Sequence, residues 1–335
     1  MTLTTPVASP VDFAAHGDYA IKAATRPDGS FVRPLYRFQG RISADGSSGF
    51  PAEPGRYHLY VSLACPWAHR SVIARSLLGL EDVVTMSVVD PVRDGRGWAF
   101  RRGPGHGPDE VNGFRLLREA YEATEPGYDG HVSVPVLWDR ATGRIVSNNF
   151  PDVSIDLATQ FGEWARPGVD LYPAALRGEI DALNERIYTT VNNGVYRCGF
   201  AESQEAYGTA VTALFTMLDE LDARMASRRY LLGDRITEAD VRLWVTLVRF
   251  DAVYVTHFKA NIRRLADYPN LWAYARDLYR NPAFGGTTDF DHIKRHYYGT
   301  HPRINPSRII PAGPLVDWTA PPGRETLPPS QQPWP

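Results

Sequence analysis

The chain has 335 residues, enough for two domains at about 100 to 200 residues each, which excludes a small scaffold held together by disulfides. Hydrophobic residues at 43% against 22% charged exclude wholesale disorder. Thirty-six Lys and Arg offset 38 Asp and Glu to leave a formal charge of -2, so the composition offers no basic footprint for nucleic acid or a membrane surface, and small-molecule partners are expected.

Residues 1–56 come first and are rich in Gly, Pro, Ser and Asp, as in ISADGSSGFPAEPG; they read as an irregular leader whose order comes from docking. The start lacks a basic stretch followed by an apolar run, and no apolar segment reaches the length of a membrane span. Only two cysteines, Cys65 and Cys198, are present and they lie far apart, which suits a reducing compartment; a cytoplasmic location is expected.

The run YHLYVS (57–62) reads as a strand, and Cys65-Pro66 then opens a helical stretch that ends at Gly79. Pro at the first helical position and Gly just past the last are the expected boundary residues. VVTMSVV (83–89) reads as a buried strand, completing a β-α-β unit with parallel strands. Residues 91–130 form a long connection containing WAFRRGPGHGPDE, with a helix expected around residues 111–124. SVPVLWD (133–139) and RIVS (144–147), joined by the turn-like RATG, read as a hairpin.

Beyond the hairpin the period changes. Leu176, Ile180, Leu183, Ile187 and Val191 are spaced 4, 3, 4, 4, and Tyr207, Val211, Leu214, Leu218, Leu221 and Met225 are spaced 4, 3, 4, 3, 4, the signature of amphipathic helices. Thr237 with Asp240 makes an Asp variant of the capping box, with Ile236 able to staple to Val241, and DYPNLWAYARDLYRNP adds a further helix. The expected organisation is an irregular extension over 1–56, an α/β domain over 57–162 with the insertion 91–130, an all-helical domain over 163–298, and a tail over 299–335. That tail holds 10 of the 27 prolines and is expected to be extended and partly disordered.

Cys65 is the strongest chemical candidate. A cysteine between a strand and the first turn of a helix faces unpaired backbone N–H groups and the positive end of the helix dipole, which stabilise a thiolate. Ala68 stands where a redox C-x-x-C motif would have its second cysteine, so a mixed disulfide at Cys65 needs an external thiol for release. Val134-Pro135 comes at the start of a strand; in a thioredoxin-like arrangement that bond is cis and the Val134 backbone pairs with a thiol peptide. Trp98, Tyr196, Tyr254, Tyr297 and Tyr298 either pack or, for the tyrosines, hydrogen-bond a phenolate or donate a proton. Cys198 reads as packing. His292 and His296 stand four apart without a convincing third ligand, and no metal is expected.

The blocks YVSLACPWAHR, SVVDP, GWAF, SVPVLWD, IVSNN, NNGVYRCGFA, RFDAVY, FKANIRRLADYPNLWAYARDLY and HIKRHYYGTHPRINPSRIIPAGP together resemble the Xi-class glutathione transferases, the glutathionyl-hydroquinone reductases, from about residue 30 to residue 317. The resemblance implies an α/β plus all-α fold, a thioredoxin-like N-terminal domain followed by an all-helical glutathione-transferase C-terminal domain. It also implies a homodimer and the reduction of S-glutathionyl-hydroquinones to hydroquinones. Position by position, Cys65 matches the family's nucleophile, Trp98 and Val134 match positions that hold the thiol peptide, and Tyr196, Tyr254 and Tyr297 match tyrosines lining the hydroquinone pocket, with Tyr298 the alternative to Tyr297.

One block departs from the resemblance. The family usually reads V-S-N-E-S-S-E, with the Glu and Ser receiving the γ-glutamyl group, whereas this chain has Val146-Ser147-Asn148-Asn149-Phe150-Pro151-Asp152. His131 also stands where an Arg is common. The thiol-binding set expected is therefore Trp98, His131, Val134, Pro135, Ser147, Asn148 and Asn149, with glutathione or mycothiol as co-substrate and an aromatic thioether as the other partner. Two further readings share the fold: a general thioltransferase or dehydroascorbate-type reductase using Cys65, and a non-catalytic binding protein.

Overall fold

The structure is a computed structural model that describes residues 5–19 and 24–332. The chain divides into two compact units, one of Met1–Lys22, Pro34–Arg166 and Asp289–Ile310, the other of Ala23–Arg33, Pro167–Thr288 and Pro311–Pro335.

In the first unit, β1 (Tyr57–Val61) is buried along its whole length, because neighbouring strands pair with both of its edges and side chains cover both of its faces. β2 (Val84–Val88) pairs with it in parallel, from Tyr57↔Val84 to Val61↔Val88. β3 (Val136–Asp139) pairs with its other edge antiparallel, and β4 (Arg144–Ser147) closes a hairpin with β3, giving the order β2-β1-β3-β4. Between β1 and β2 runs α1 (Pro66–Leu77), after which Gly79 turns the chain at φ 65°. α3 (Phe150–Gln160) follows β4 and packs against α1.

The long insertion covers the sheet face that carries His58, Tyr60 and Trp138. Phe100 and Phe114 set their rings against Tyr60 and Trp138 at 5.4 and 5.6 Å, and the Tyr60 hydroxyl donates to Asp109. The helix expected around residues 111–124 is confined to α2 (Arg118–Thr124). The cause is local: the buried Asp109 carboxylate accepts the N–H groups of Val111, Asn112 and Phe114, and so holds as a turn the segment that would have begun the helix. The leader is fastened by Asp156 on α3, which accepts Nε and Nη2 of Arg41 at 2.9 and 2.6 Å and the N–H of Ile42 at 2.8 Å. The helix Phe290–Thr300 also belongs to this unit.

The second unit is helical, with α4 (Arg177–Ile187), α5 (Gly194–Gly199), α6 (Gln204–Met225), α7 (Glu238–Arg249) and α8 (Pro269–Tyr279). The heptad-like spacing expected to run unbroken to Val191 is interrupted: α4 passes at Tyr188 into a π-helical turn, Tyr188–Asn192, and α7 passes likewise into a second, Phe250–Tyr254. Such turns insert one residue per turn and concentrate at functional sites. Asn192 on the first donates to the Arg242 carbonyl and to Thr246 Oγ1 on α7, and Asp251 on the second accepts the N–H groups of Leu265 and Ala266. Asp240 caps α7, taking both the N–H and the hydroxyl of Thr237, and its other oxygen accepts from Leu231 N–H and Tyr274.

The proline-rich tail lacks helix and strand from His301 to Gln332. Its part in the second unit is nonetheless docked: Trp318 lies on Trp272 and Tyr279, Arg324 donates to the Arg229 carbonyl, and Gln332 bonds Ile236 N–H and the Asp170 carbonyl. No helix among the described residues is long and apolar enough to cross a membrane.

Candidate active site

Cys65 is the residue immediately before α1, in an extended conformation (φ -79°, ψ 120°), with Pro66 at the first helical position and no cap hydrogen bond from its own side chain. Its backbone N–H bonds Ser62 O and its carbonyl accepts from His69, so the sulfur is fixed by main-chain geometry. Cys65 is partly exposed, and its Sγ donates to the Val134 carbonyl at 3.6 Å; the Val134-Pro135 bond is cis. A sulfur at the start of a twelve-residue helix feels the field of the aligned peptides, which favours the thiolate. Neither cysteine is in a disulfide. Cys198 is buried in the second unit, where desolvation pushes its thiol up to about 12 and keeps it protonated.

Trp98 is buried among planar groups of the first unit. His296 stacks on it at 5.0 Å and 18°, Arg93 places its guanidinium 4.4 Å from the same ring, and Arg93 also lies 4.1 Å from the ring of Tyr19. His296 is oriented by Nδ1, 2.7 Å from the Pro91 carbonyl. Tyr19 reaches His131 Nδ1 at 3.2 Å and donates to the Val132 carbonyl at 3.3 Å. Trp98, His131 and the segment leading to Val134 are thereby tied together by Arg93, Tyr19 and His296; the sequence pattern singled out neither Arg93 nor Tyr19, and weighed His296 only as a metal ligand. Tyr297 is buried and packs on His296 and His301, so it joins this cluster; Tyr298, also buried, offers its carbonyl to Asn305.

At the start of α3, Ser147 and Asn148 are buried and occupied. Asn148 bonds the Phe38 main chain through its own backbone N–H and Oδ1, and its amide donates to Tyr121 and Ser133; Ser147 Oγ accepts the N–H of Asn149. Asn149 donates its side-chain amide to Asp152 at 2.7 Å. Phe150 is buried against Trp67 of α1 at 4.5 Å, meets Tyr36 edge-on at 5.4 Å, and lies 5.0 Å from the Arg70 guanidinium.

Tyr196 and Tyr254 are in the second unit. Tyr196, on α5, and Tyr254, the last residue of the second π turn, have ring centroids 6.2 Å apart and share Phe258 as a neighbour, at 5.3 and 5.5 Å. Tyr196 is half-buried and Tyr254 fully buried. His257 lies beside Phe258, and burial pushes it down to about 4, so it is neutral at physiological pH. His292 and His296 direct one ring nitrogen each to backbone carbonyls, and among the described residues no three of His, Cys, Asp and Glu gather as metal ligands.

Residues 179–277 match the glutathione S-transferase C-terminal domain family. The glutathionyl-hydroquinone reductase PcpF of Sphingobium chlorophenolicum is 47% identical over 287 residues, covering 85% of this chain and 90% of that protein. Among solved structures, glutathione-bound YqjG of Escherichia coli K-12, a glutathione transferase homologue, superposes with a TM-score of 0.84 at 47% identity, covering 89% of this chain and 98% of that one. The Xi-class enzyme of Natrialba magadii superposes at 0.86 with 43% identity, covering 93% and 99%. The chain belongs to the Xi-class glutathione transferases. It has their thioredoxin-like N-terminal domain and helical C-terminal domain, and it is a thiol-dependent enzyme of the glutathione-transferase type.

Proposed function

We propose that this Xi-class chain reduces S-conjugates of hydroquinones through a mixed disulfide on Cys65. The Cys65 thiolate attacks the thioether sulfur, the carbon–sulfur bond breaks, and its electron pair goes to the aromatic carbon, which takes up a proton to give the free hydroquinone. A second low-molecular-weight thiol then attacks the thiol sulfur bound to Cys65, regenerating the thiolate and releasing the symmetrical disulfide. Two thiols thus supply the two electrons. Tyr196 and Tyr254 hydrogen-bond the hydroquinone or donate its proton, Tyr297 supports Trp98 and its neighbours, and Trp98, His131 and Val134 hold the thiol. The observation that carries the reading is Cys65 at the head of α1, 3.6 Å from the Val134 carbonyl, with Ala68 in place of a local resolving cysteine. The reading includes a homodimer in the cytoplasm.

The test is a single turnover without added thiol. Intact mass should show one thiol residue added to Cys65 together with one equivalent of free hydroquinone. Hydroquinone release with no adduct would sink the mechanism, and turnover of simple mixed disulfides but not aryl conjugates would favour a general thioltransferase.

For the thiol we propose mycothiol. A γ-glutamyl group carries an amine and a carboxylate, and the Asn149-Phe150-Pro151 start of α3 supplies neither an acidic partner nor a small hydroxyl. The Asn149 amide is engaged by Asp152, the Phe150 ring fills the space against Trp67, and Pro151 has no N–H. The sugar-linked thiol lacks that zwitterion and suits an amide and an aromatic wall. The relatives' names favour glutathione instead, so the deciding experiment compares glutathionyl and mycothiolyl conjugates of one hydroquinone, each with its own thiol. Equal or better efficiency with glutathione refutes the mycothiol assignment.

A further inference from the structure

Arg33 stands at the end of the leader segment that belongs to the second unit, just after the two-residue strand Phe31–Val32. Its guanidinium carbon lies 4.6 Å from the centroid of the Tyr196 ring and 5.6 Å from that of Phe31. Nε donates to Asn193 Oδ1 at 3.0 Å, and Asn193 immediately precedes α5, the helix that carries Tyr196. The cation is thus anchored to the start of the helix whose phenol it covers. Phe31 stacks on Phe200 at 5.3 Å, which joins the strand just before the arginine to the aromatic cluster.

We infer that Arg33 is a positioning residue for Tyr196, its guanidinium held over the phenol ring so that the hydroxyl becomes a stronger proton donor to the departing hydroquinone. The inference rests on the proposed role of Tyr196. A guanidinium is charged at every working pH, and the face of a phenol ring attracts cations. That attraction grows as the hydroxyl gives up its proton and the ring gains electron density, so the cation favours the donating and ionised forms. The proton passes from Tyr196 Oη to the ring carbon that has lost sulfur, and Tyr196 regains one from water.

Titratable groups on the segments that form this cluster include Tyr254, Asp251, His257, Cys198 and Tyr207, with the cations Arg197 and Lys259. His257 is held near 4 and Cys198 near 12 by burial, and burial also raises Tyr207. Between about pH 6 and 9 the histidine and the buried thiol keep their charge state, so neither contributes to a change in the profile there, and the titration of the Tyr196 hydroxyl itself separates its part from that of the Cys65 thiol.

The experiment measures kcat and KM against pH for the wild type, Arg33→Met, Arg33→Lys, Tyr196→Phe and the Arg33→Met/Tyr196→Phe pair. The ionisation of Tyr196 itself is read as the ultraviolet difference titration between chains with and without its hydroxyl. Arg33→Met should lower kcat about 2-fold to 30-fold, the range of a cation–π contact converted to rate, with KM nearly unchanged. It should also move the Tyr196 phenolate signal to higher pH. Arg33→Lys should recover most of both effects, and Arg33→Met should be silent once Tyr196 is Phe. An unmoved phenolate signal, or an equal loss of kcat in the Tyr196→Phe background, overturns the inference. If Tyr196→Phe alone keeps the full rate, the donor role of Tyr196 falls, and the titration still decides whether Arg33 acts on the ring. Should Arg33→Met fail to fold, Arg33→Gln, which keeps a donor toward Asn193 without the charge, takes its place in every comparison.

Discussion

In the first unit the sulfur of Cys65 is placed by main chain: the end of β1, the Pro66 helix start and the Val134 carbonyl fix it, and its neighbours in sequence do most of the positioning. In the second unit the phenols of Tyr196 and Tyr254 are placed by rings from three separate stretches, with Phe31, Phe200 and Phe258 in the cluster and a π turn delivering Tyr254. A backbone-built site tolerates changes in its surroundings but depends wholly on one atom. A packing-built site spreads its dependence over several side chains, so each single loss is smaller.

The sharpest way to break the comparison is Cys65→Ser, expected to abolish turnover, with residual activity reduced at least about a thousandfold, because a hydroxyl neither ionises at this position nor forms the mixed disulfide. Circular dichroism and the melting temperature should stay near wild type. Cys198→Ser should leave turnover nearly unchanged; a long-lived adduct in that variant would make Cys198 a resolving thiol. The second unit should respond more mildly, with Tyr196→Phe and Tyr254→Phe each slowing hydroquinone release by about 10-fold to 1000-fold, the range for a hydrogen-bonding or proton-donating group. Unchanged rates in both would return these tyrosines to packing.

This difference also explains what was legible in the sequence. Strand, Cys-Pro, helix and Gly79 lie within about 25 consecutive residues, so the setting of Cys65 could be read from local signals alone. The helical second half was readable from its apolar period, but the π turns were not, because they answer to Asn192 reaching α7 and to Asp251 holding the Leu265 turn. Arg33 over Tyr196 and Arg93 over Trp98 join residues distant in sequence or hidden in a Gly-rich connection, and no pairwise pattern marks them. The helix expected to begin near residue 111 failed for a related reason: one buried carboxylate, Asp109, outbid helical propensity over the next five residues.

A smaller effect sharpens the thiol assignment. The Asn149→Glu/Phe150→Ser pair should shift the ratio of kcat/KM between glutathionyl and mycothiolyl conjugates toward glutathione by about tenfold to a hundredfold, the worth of one charge-assisted hydrogen bond. The ratio within one variant is independent of how much protein folds, so the cavity left by the Phe150 ring does not blur the reading. An unchanged ratio would detach thiol choice from the start of α3.

The smallest expected effect compares the two units by their response to acid. His58 in β1 is buried between Thr85 Oγ1 and Ser87 Oγ, at 2.7 and 2.9 Å, and burial, with Arg140 and Arg75 adding repulsion, pushes it down to about 3. In the second unit burial and Lys259 push His257 to about 4. Both histidines are neutral when folded and ionise near 6.5 when unfolded, so the unfolded chain binds more protons over the interval between. Their contribution to stability is therefore full above pH 6.5 and is lost as pH falls toward the folded values. Each group contributes a slope of at most about 1.4 kcal/mol per pH unit, and the interval is longer for His58. Below pH 4 the first unit should accordingly lose more stability than the second, seen as a greater loss of amide protection in β1 than in α7 after correction for intrinsic exchange. His58→Gln should flatten the acid limb for the first unit and leave that of the second in place. An acid limb in β1 that is equally steep with and without His58 would show that another group sets it.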